Sequence, residues 1–177
     1  RRLCRIDGIQ WIRILYCYPE EITDELIEVM AAEKKICHYL DLPIQHASDA
    51  VLKRMGRRTS RADLEAVIRK LRTAMPDIAL RTTLISGFPG ETEEDQESVL
   101  SFVEEMRFER LGVFTYSQEE DTPAAGFEGQ VDEDIKAARR DEIMELQQAV
   151  HAWTYLSKAI FPKRMSIWGE PTWMRRM

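Results

Sequence analysis

The residues best equipped for chemistry in this 177-residue chain fall in four short clusters. Gln45 and His46 follow Pro43-Ile44. An amide at that place offers a polar ligand both a donor and an acceptor, and an imidazole can act as general acid or base. No Ser, Cys or Asp stands at a spacing that would make His46 the base of a nucleophile, so a structural role beside its neighbours fits as well. Arg57 and Arg58, after Met55-Gly56, carry the planar forks that clamp carboxylates, and they also suit a solvated surface. Gly87-Phe88-Pro89-Gly90-Glu91-Thr92 is a corner with two glycines, where backbone can approach a ligand closely and a helix N-terminus offers free N–H groups. It is not a P-loop, because no Gly-Lys-Ser/Thr follows and Glu91 has the wrong charge for a triphosphate. A plain tight turn capped by Thr92 fits it equally. Arg81, inside an apolar run, needs a partner or a cavity to point into.

Cysteine chemistry is sparse. Cys4, Cys17 and Cys37 are separated by 12 and 19 residues. No pair has CxxC or CxxxC spacing, so they form no compact zinc or iron–sulfur knuckle and read as small, buried or half-buried thiols. Hydrophobic residues make up 44% and charged residues 32% of the chain, which excludes collagen-like, disulfide-framework and low-complexity classes. No run approaches the roughly 20 apolar residues of a membrane span, and no apolar signal core follows Arg1-Arg2, so a cytoplasmic location without membrane contact is expected.

The elements that must position these residues alternate from the start. A β-rich run, 11–18, stops at Pro19, and Thr23 caps a helix to about Lys35. A second strand, Tyr39 to Ile44, precedes a helix capped by Ser48. Ser60 caps another helix with Leu64, Val67, Ile68 and Leu71 on its apolar stripe. The third strand, Ile78 to Ile85, leads into the glycine corner and an acidic-fronted helix opened by Thr92. The fourth, Leu111 to Tyr116, leads through a polar loop, 117–131, to a charged helix from about Asp132 to Val150. Four βα units predict a parallel sheet with right-handed crossovers, in either an open doubly wound sheet or part of a (βα) barrel. Both architectures put chemistry at the C-terminal strand ends, where Tyr18-Pro19, Gln45-His46, Ser86 to Glu91 and Tyr116-Ser117 fall.

The net charge of −6 is uneven. Residues 151–177 hold five Lys/Arg against Glu170 alone, with Trp153, Trp168 and Trp173 among them. Basic charge interleaved with aromatics is the pattern of a single-stranded nucleic-acid surface, and a terminus without a binding role fits it too. The acidic body argues against a broad nucleic-acid footprint.

The strings 41–49 (Asp-Leu-Pro-Ile-Gln-His-Ala-Ser-Asp), 51–58, 81–92 and 113–117, with Glu119-Glu120 and Thr122-Pro123-Ala124, resemble the radical S-adenosylmethionine methylthiotransferases, in order, over roughly residues 5–148. Pro-Ile-Gln-His-Ala-Ser and Tyr16-Cys17-Tyr18-Pro19 are similar to the branch that modifies a ribosomal protein; the alternatives are the tRNA-adenosine branch and a non-catalytic remnant that still binds S-adenosylmethionine. The resemblance implies a partial (βα)6 TIM-like barrel, of which residues 1–150 form the C-terminal four βα units. It implies reductive cleavage of cluster-bound S-adenosylmethionine to a 5′-deoxyadenosyl radical. A methylthio group is then transferred to the β-carbon of an aspartate in a small-subunit ribosomal protein, with a reductant and a sulfur donor the sequence does not name. It further implies that Gln45 and Ser48 contact the ribose or amino-acid portion and that Arg57 pairs with the carboxylate. Ile85, Gly87 and the Pro89-Gly90 turn would shape the adenine pocket, with Phe114 and Tyr116 lining the cavity.

The departures are as informative. The family's CxxxCxxC motif is absent, the catalytic residues stay unassigned and no metal ligand is expected among residues 1–177. The 4Fe–4S clusters would belong to a full-length parent, and the chain reads as an internal slice that is inactive alone. Residues 151–177 form a divergent tail where the family would enter a TRAM-like domain.

Overall fold

The computed structural model describes residues 1–160. Of the expected tail, 151–177, residues 161–177 lie outside the described residues. Four strands, β1 (Ile12–Ile14), β2 (Ile36–Asp41), β3 (Ala79–Ser86) and β4 (Arg110–Thr115), form one sheet in the order β1-β2-β3-β4. Every pairing is parallel. A doubly wound sheet reverses its strand order at a switch point. The unbroken sequential order selects the other architecture, a slice of a TIM-like barrel.

The connecting helices are α1 (Asp24–Ala32), α2 (Asp49–Arg54), α3 (Arg61–Ala74), α4 (Glu93–Met106) and α5 (Glu133–Ile160). Their starts are set locally. Thr23 Oγ1 accepts from the N–H of Leu26, and Ser60/Asp63 and Thr92/Asp95 form reciprocal capping boxes. Ser48 occupies the N-cap of α2 without a side-chain cap bond, because its hydroxyl is engaged by Asp95. α5 continues unbroken past Val150 to Ile160, beyond the expected helix end.

Two strands differ from expectation for backbone reasons. β1 ends at Ile14 because Tyr16 turns to φ +55°, outside the extended region. β2 starts three residues earlier than expected and stops at Asp41, short of Pro43, which has no N–H for a ladder.

Alternation along β3 separates two faces. Leu80, Thr82, Leu84 and Ser86 are buried under the helices, whereas Ala79, Arg81, Thr83 and Ile85 are half-buried on the opposite face. Register places Arg81 beside Asp41, and Thr83 and Ile85 beside Gly112 and Phe114, on that second face. The helix side holds the core. Leu40, Leu42 and Leu80 meet Leu64, Ile68 and Leu71 of α3, and Phe102 of α4 and Phe108 pack at a ring separation of 6.1 Å. A second, smaller cluster of Val51, Phe88 and Tyr116 closes the C-terminal end of the sheet.

Candidate functional site

A cavity of about 610 Å³ opens at the C-terminal strand ends. That lies within the range of roughly 300–1,000 Å³ typical of small-molecule sites. One wall is apolar, built from Pro43, Ile85, Phe88, Pro123 and Phe127. The polar side chains that converge on it include Gln45, Arg54 and Arg57.

Gln45 is the residue the backbone works hardest to place. It adopts φ +72°, a left-handed conformation costing a non-glycine residue about 1–3 kcal/mol. The ladder over-determines it: its N–H donates to the carbonyl of Thr83 at 3.0 Å, and its carbonyl accepts from the N–H of Ile85 at 2.8 Å. Its side chain is thereby presented at the cavity next to Ile85. Arg57 donates from Nη2 to the carbonyl of Pro43 at 2.9 Å and lies over the Tyr18 ring at 5.0 Å. One guanidinium donor is thus used for anchoring while the fork retains others for an anion.

The glycine corner is pinned from behind. Oε2 of the buried Glu91 accepts from the N–H groups of Gly87 at 2.8 Å and Phe88 at 3.1 Å. Oε1 accepts from Nη1 of Arg139 at 2.9 Å. Gly87 has φ +73° and lies against the stem of Lys136, whose Nζ donates to the carbonyl of Tyr116 at 3.1 Å. Gly90 (φ +79°) lies under the Arg54 guanidinium and donates its N–H to the carbonyl of Gly129 at 2.7 Å, which draws the 117–131 loop over the cavity. Phe88 meets Tyr116 and Phe127 edge-on, at 5.3 and 6.2 Å between ring centroids.

Of the residues expected at a ligand, Gln45, Arg57 and Ile85 line the cavity together. Ser48 does not: it is buried and donates its hydroxyl to Oδ1 of Asp95. Gly87, Pro89 and Gly90 shape the corner without lining the space, and Tyr116 supports Phe88 from the small core behind. Phe114, the register partner of Ile85, is 62% exposed and lies outside the cavity. Sequence reasoning missed Phe88 as a wall and Phe127 as part of the cover. The aromatic inside the glycine corner was a usable signal for the first; nothing local marked the second. Cys17 also lines the cavity; burial first, and then the Asp41 carboxylate, raise its thiol pKa above 9.0.

The cavity suits a nucleoside carrying an amino acid, as S-adenosylmethionine does, with flat apolar walls for a base, an amide for hydroxyls and an arginine for a carboxylate. An iron–sulfur cluster has no comparable fit. Among the described residues no group of three His, Cys, Asp or Glu side chains could hold a metal ion.

Comparison with known proteins gives four matches. The ribosomal protein uS12 methylthiotransferase RimO of Lachnoclostridium phytofermentans is 67% identical over 150 residues, covering 85% of this chain and 34% of the relative. The protein of the same name from Desulfitobacterium hafniense is 57% identical over the same coverage, so the chain spans about a third of the length of these curated relatives. Streptococcus suis SuiB, solved bound to its precursor peptide SuiA, superposes with a TM-score of 0.51 at 16% identity over 77% of this chain and 29% of that one, a likeness of fold. The model of the Radical SAM superfamily matches residues 1–103, more than half of the chain, and with the sequential parallel sheet this places the protein in the radical SAM superfamily.

Proposed function

We propose that this chain is the S-adenosylmethionine-holding part of a methylthiotransferase acting on the β-carbon of an aspartate in a small-subunit ribosomal protein. The observation that carries the reading is the convergence of Gln45, Arg57 and Ile85 on one cavity at the strand ends, in a chain 67% identical over 150 residues to a ribosomal protein uS12 methylthiotransferase. Gln45 binds the ribose or the amino-acid portion. Arg57, pre-oriented by Pro43, takes the carboxylate. Ile85 and Phe88 form the apolar wall against which the adenine lies and keep water from it, while the 117–131 loop, tied at Gly90, covers the cavity. Bound S-adenosylmethionine supplies the hydrogen-abstracting chemistry that an unactivated C–H bond demands. The cluster that drives it belongs to parts of the parent protein beyond these residues, so the chain alone is inactive.

Calorimetric titration of the chain with S-adenosylhomocysteine tests the cavity. Saturable binding that weakens about tenfold or more in Arg57→Met is expected, since a hydrogen-bonded charge contributes about 1.5–3 kcal/mol. Absence of binding overturns the assignment. Anaerobic iron–sulfur reconstitution of the chain tests the second claim: a stable four-iron cluster that cleaves S-adenosylmethionine would refute it. Mass analysis of ribosomal proteins and tRNA from a strain lacking the parent gene identifies the substrate, with loss of the methylthio group from the ribosomal protein expected.

A further inference from the structure

His46 lies beside the cavity without lining it, in a setting that fixes its chemistry. It is 1% exposed. Its Nδ1 accepts the backbone N–H of Ser48 at 2.9 Å, and its Nε2 lies 3.4 Å from Oε2 of Glu91, whose side chain is fully buried. A ring nitrogen that accepts a backbone N–H carries no proton of its own, so the imidazole proton resides on Nε2, the atom facing the carboxylate. Protonation of both nitrogens would set two donors against each other at Ser48.

Glu91 is the same carboxylate that collects the N–H groups of Gly87 and Phe88 and is held by Arg139. Through it, one imidazole joins the two segments that build the cavity: 45–48, carrying Gln45, and 87–91, carrying Phe88. Ser48 is tied across the same gap by its hydroxyl to Asp95 in the first turn of α4. The 45–48 segment is thus fastened twice to the start of α4, once through each carboxylate.

We propose that His46 is a positioning residue: as the neutral Nε2–H tautomer it braces Glu91, and so sets the distance between the Gln45 amide and the Phe88 ring across the cavity. The ligand that profits from this spacing rests on the reading above; the brace itself does not. A histidine that merely filled space would require neither a fixed tautomer nor a particular nitrogen toward Glu91.

Two substitutions separate the ring's two functions. In His46→Gln the side-chain amide reaches the Nε2 position and keeps an N–H facing Glu91. In His46→Asn the shorter amide replaces only the Nδ1 acceptor. Long-range nitrogen–proton spectra of the chain, with His38→Gln and His151→Gln assigning the remaining signal to His46, are expected to show a single Nε2–H tautomer; an Nδ1–H or averaged signal overturns the proposal even if both His46 variants fail to fold. Amide hydrogen exchange at Gly87 and Phe88 is expected to stay within about threefold of the parent chain in His46→Gln and to accelerate about tenfold or more in His46→Asn. Affinity for S-adenosylhomocysteine should follow the same split. Equal behaviour of the two variants overturns the brace. Absence of binding by the parent chain, with the exchange split intact, overturns the ligand assignment and leaves the brace standing.

Discussion

Asp41 and Arg81 are register partners on adjacent parallel strands, and Nη1 of Arg81 donates to Oδ2 of Asp41 at 2.7 Å. The pair is lopsided. The Asp41 side chain is 3% exposed and that of Arg81 36%, and Oδ1 of Asp41 is buried without a protein partner. Removing the arginine therefore strands a carboxylate, whereas removing the carboxylate releases an arginine that can reach water. Arg81→Met is expected to lower stability by about 2 kcal/mol in urea denaturation, less than the roughly 3–5 kcal/mol of a fully buried pair because solvent screens the partly exposed guanidinium. Asp41→Asn should cost less, and the double variant should recover part of the loss.

The same carboxylate acts on Cys17, whose N–H donates to the carbonyl of Asp41 at 2.9 Å. Burial and then the charge of Asp41 raise the thiol pKa, which depletes the reactive thiolate near neutral pH. Asp41→Asn should accelerate alkylation of Cys17 by iodoacetamide at pH 8 severalfold, followed by peptide mass analysis. An unchanged rate would show that burial acts alone.

Gly87 is irreplaceable on two grounds, its φ of +73° and the Lys136 stem occupying the place of a Cβ. Gly87→Ala is expected to cost about 2–4 kcal/mol, combining left-handed strain with overpacking in a tight interior. Lys136→Ala in that background should return the overpacking part and leave the strain, visible as partial recovery of the denaturation midpoint.

Acid should loosen the start of α4. Burial acts to raise the Asp95 carboxyl, but the hydrogen bonds from Ser48 and Thr92 outweigh it and hold the group below its ordinary 3.8. A pKa depressed in the folded state gives stability that is present above the unfolded value and is lost as pH falls through the folded one. The stability advantage of the parent chain over Asp95→Asn should therefore be full at pH 6 and shrink below about pH 4. Guanidinium denaturation across that range measures it, and a constant difference would refute it. Asp63, held low by its bonds to Ser60, changes in the same direction at the start of α3.

What the sequence disclosed was what neighbours along the chain decide. Ser60 with Asp63 and Thr92 with Asp95 close their boxes within three residues, so both helix starts were readable. The alternation of strands with helices showed the parallel sheet, although the choice between barrel and doubly wound sheet needed the strand order. Ser48 falls outside the cavity lining for a reason no local reading shows: it meets Asp95 only across the fold, and that partner claims the hydroxyl that in isolation looked free for a ligand. Phe127 stayed hidden because a loop rich in Gly and acidic residues carries no periodicity to say that one of its side chains turns inward. The tyrosine at φ +55° and the proline at position 43 moved the strand ends by a few residues, the usual reach of local backbone geometry.

The sequential strand order governs how the chain can assemble. No strand waits for a partner made much later, since each ladder closes between consecutive strands. Ala79 follows Ile36 by 43 residues, which at a synthesis rate of about 5–20 residues per second is an interval of roughly 2–9 s. Helix–coil relaxation takes about a microsecond, so α1 and α3 have ample time to settle onto the growing sheet before the next strand emerges. The layer can therefore grow one βα unit at a time, with each new strand finding its docking edge already in place.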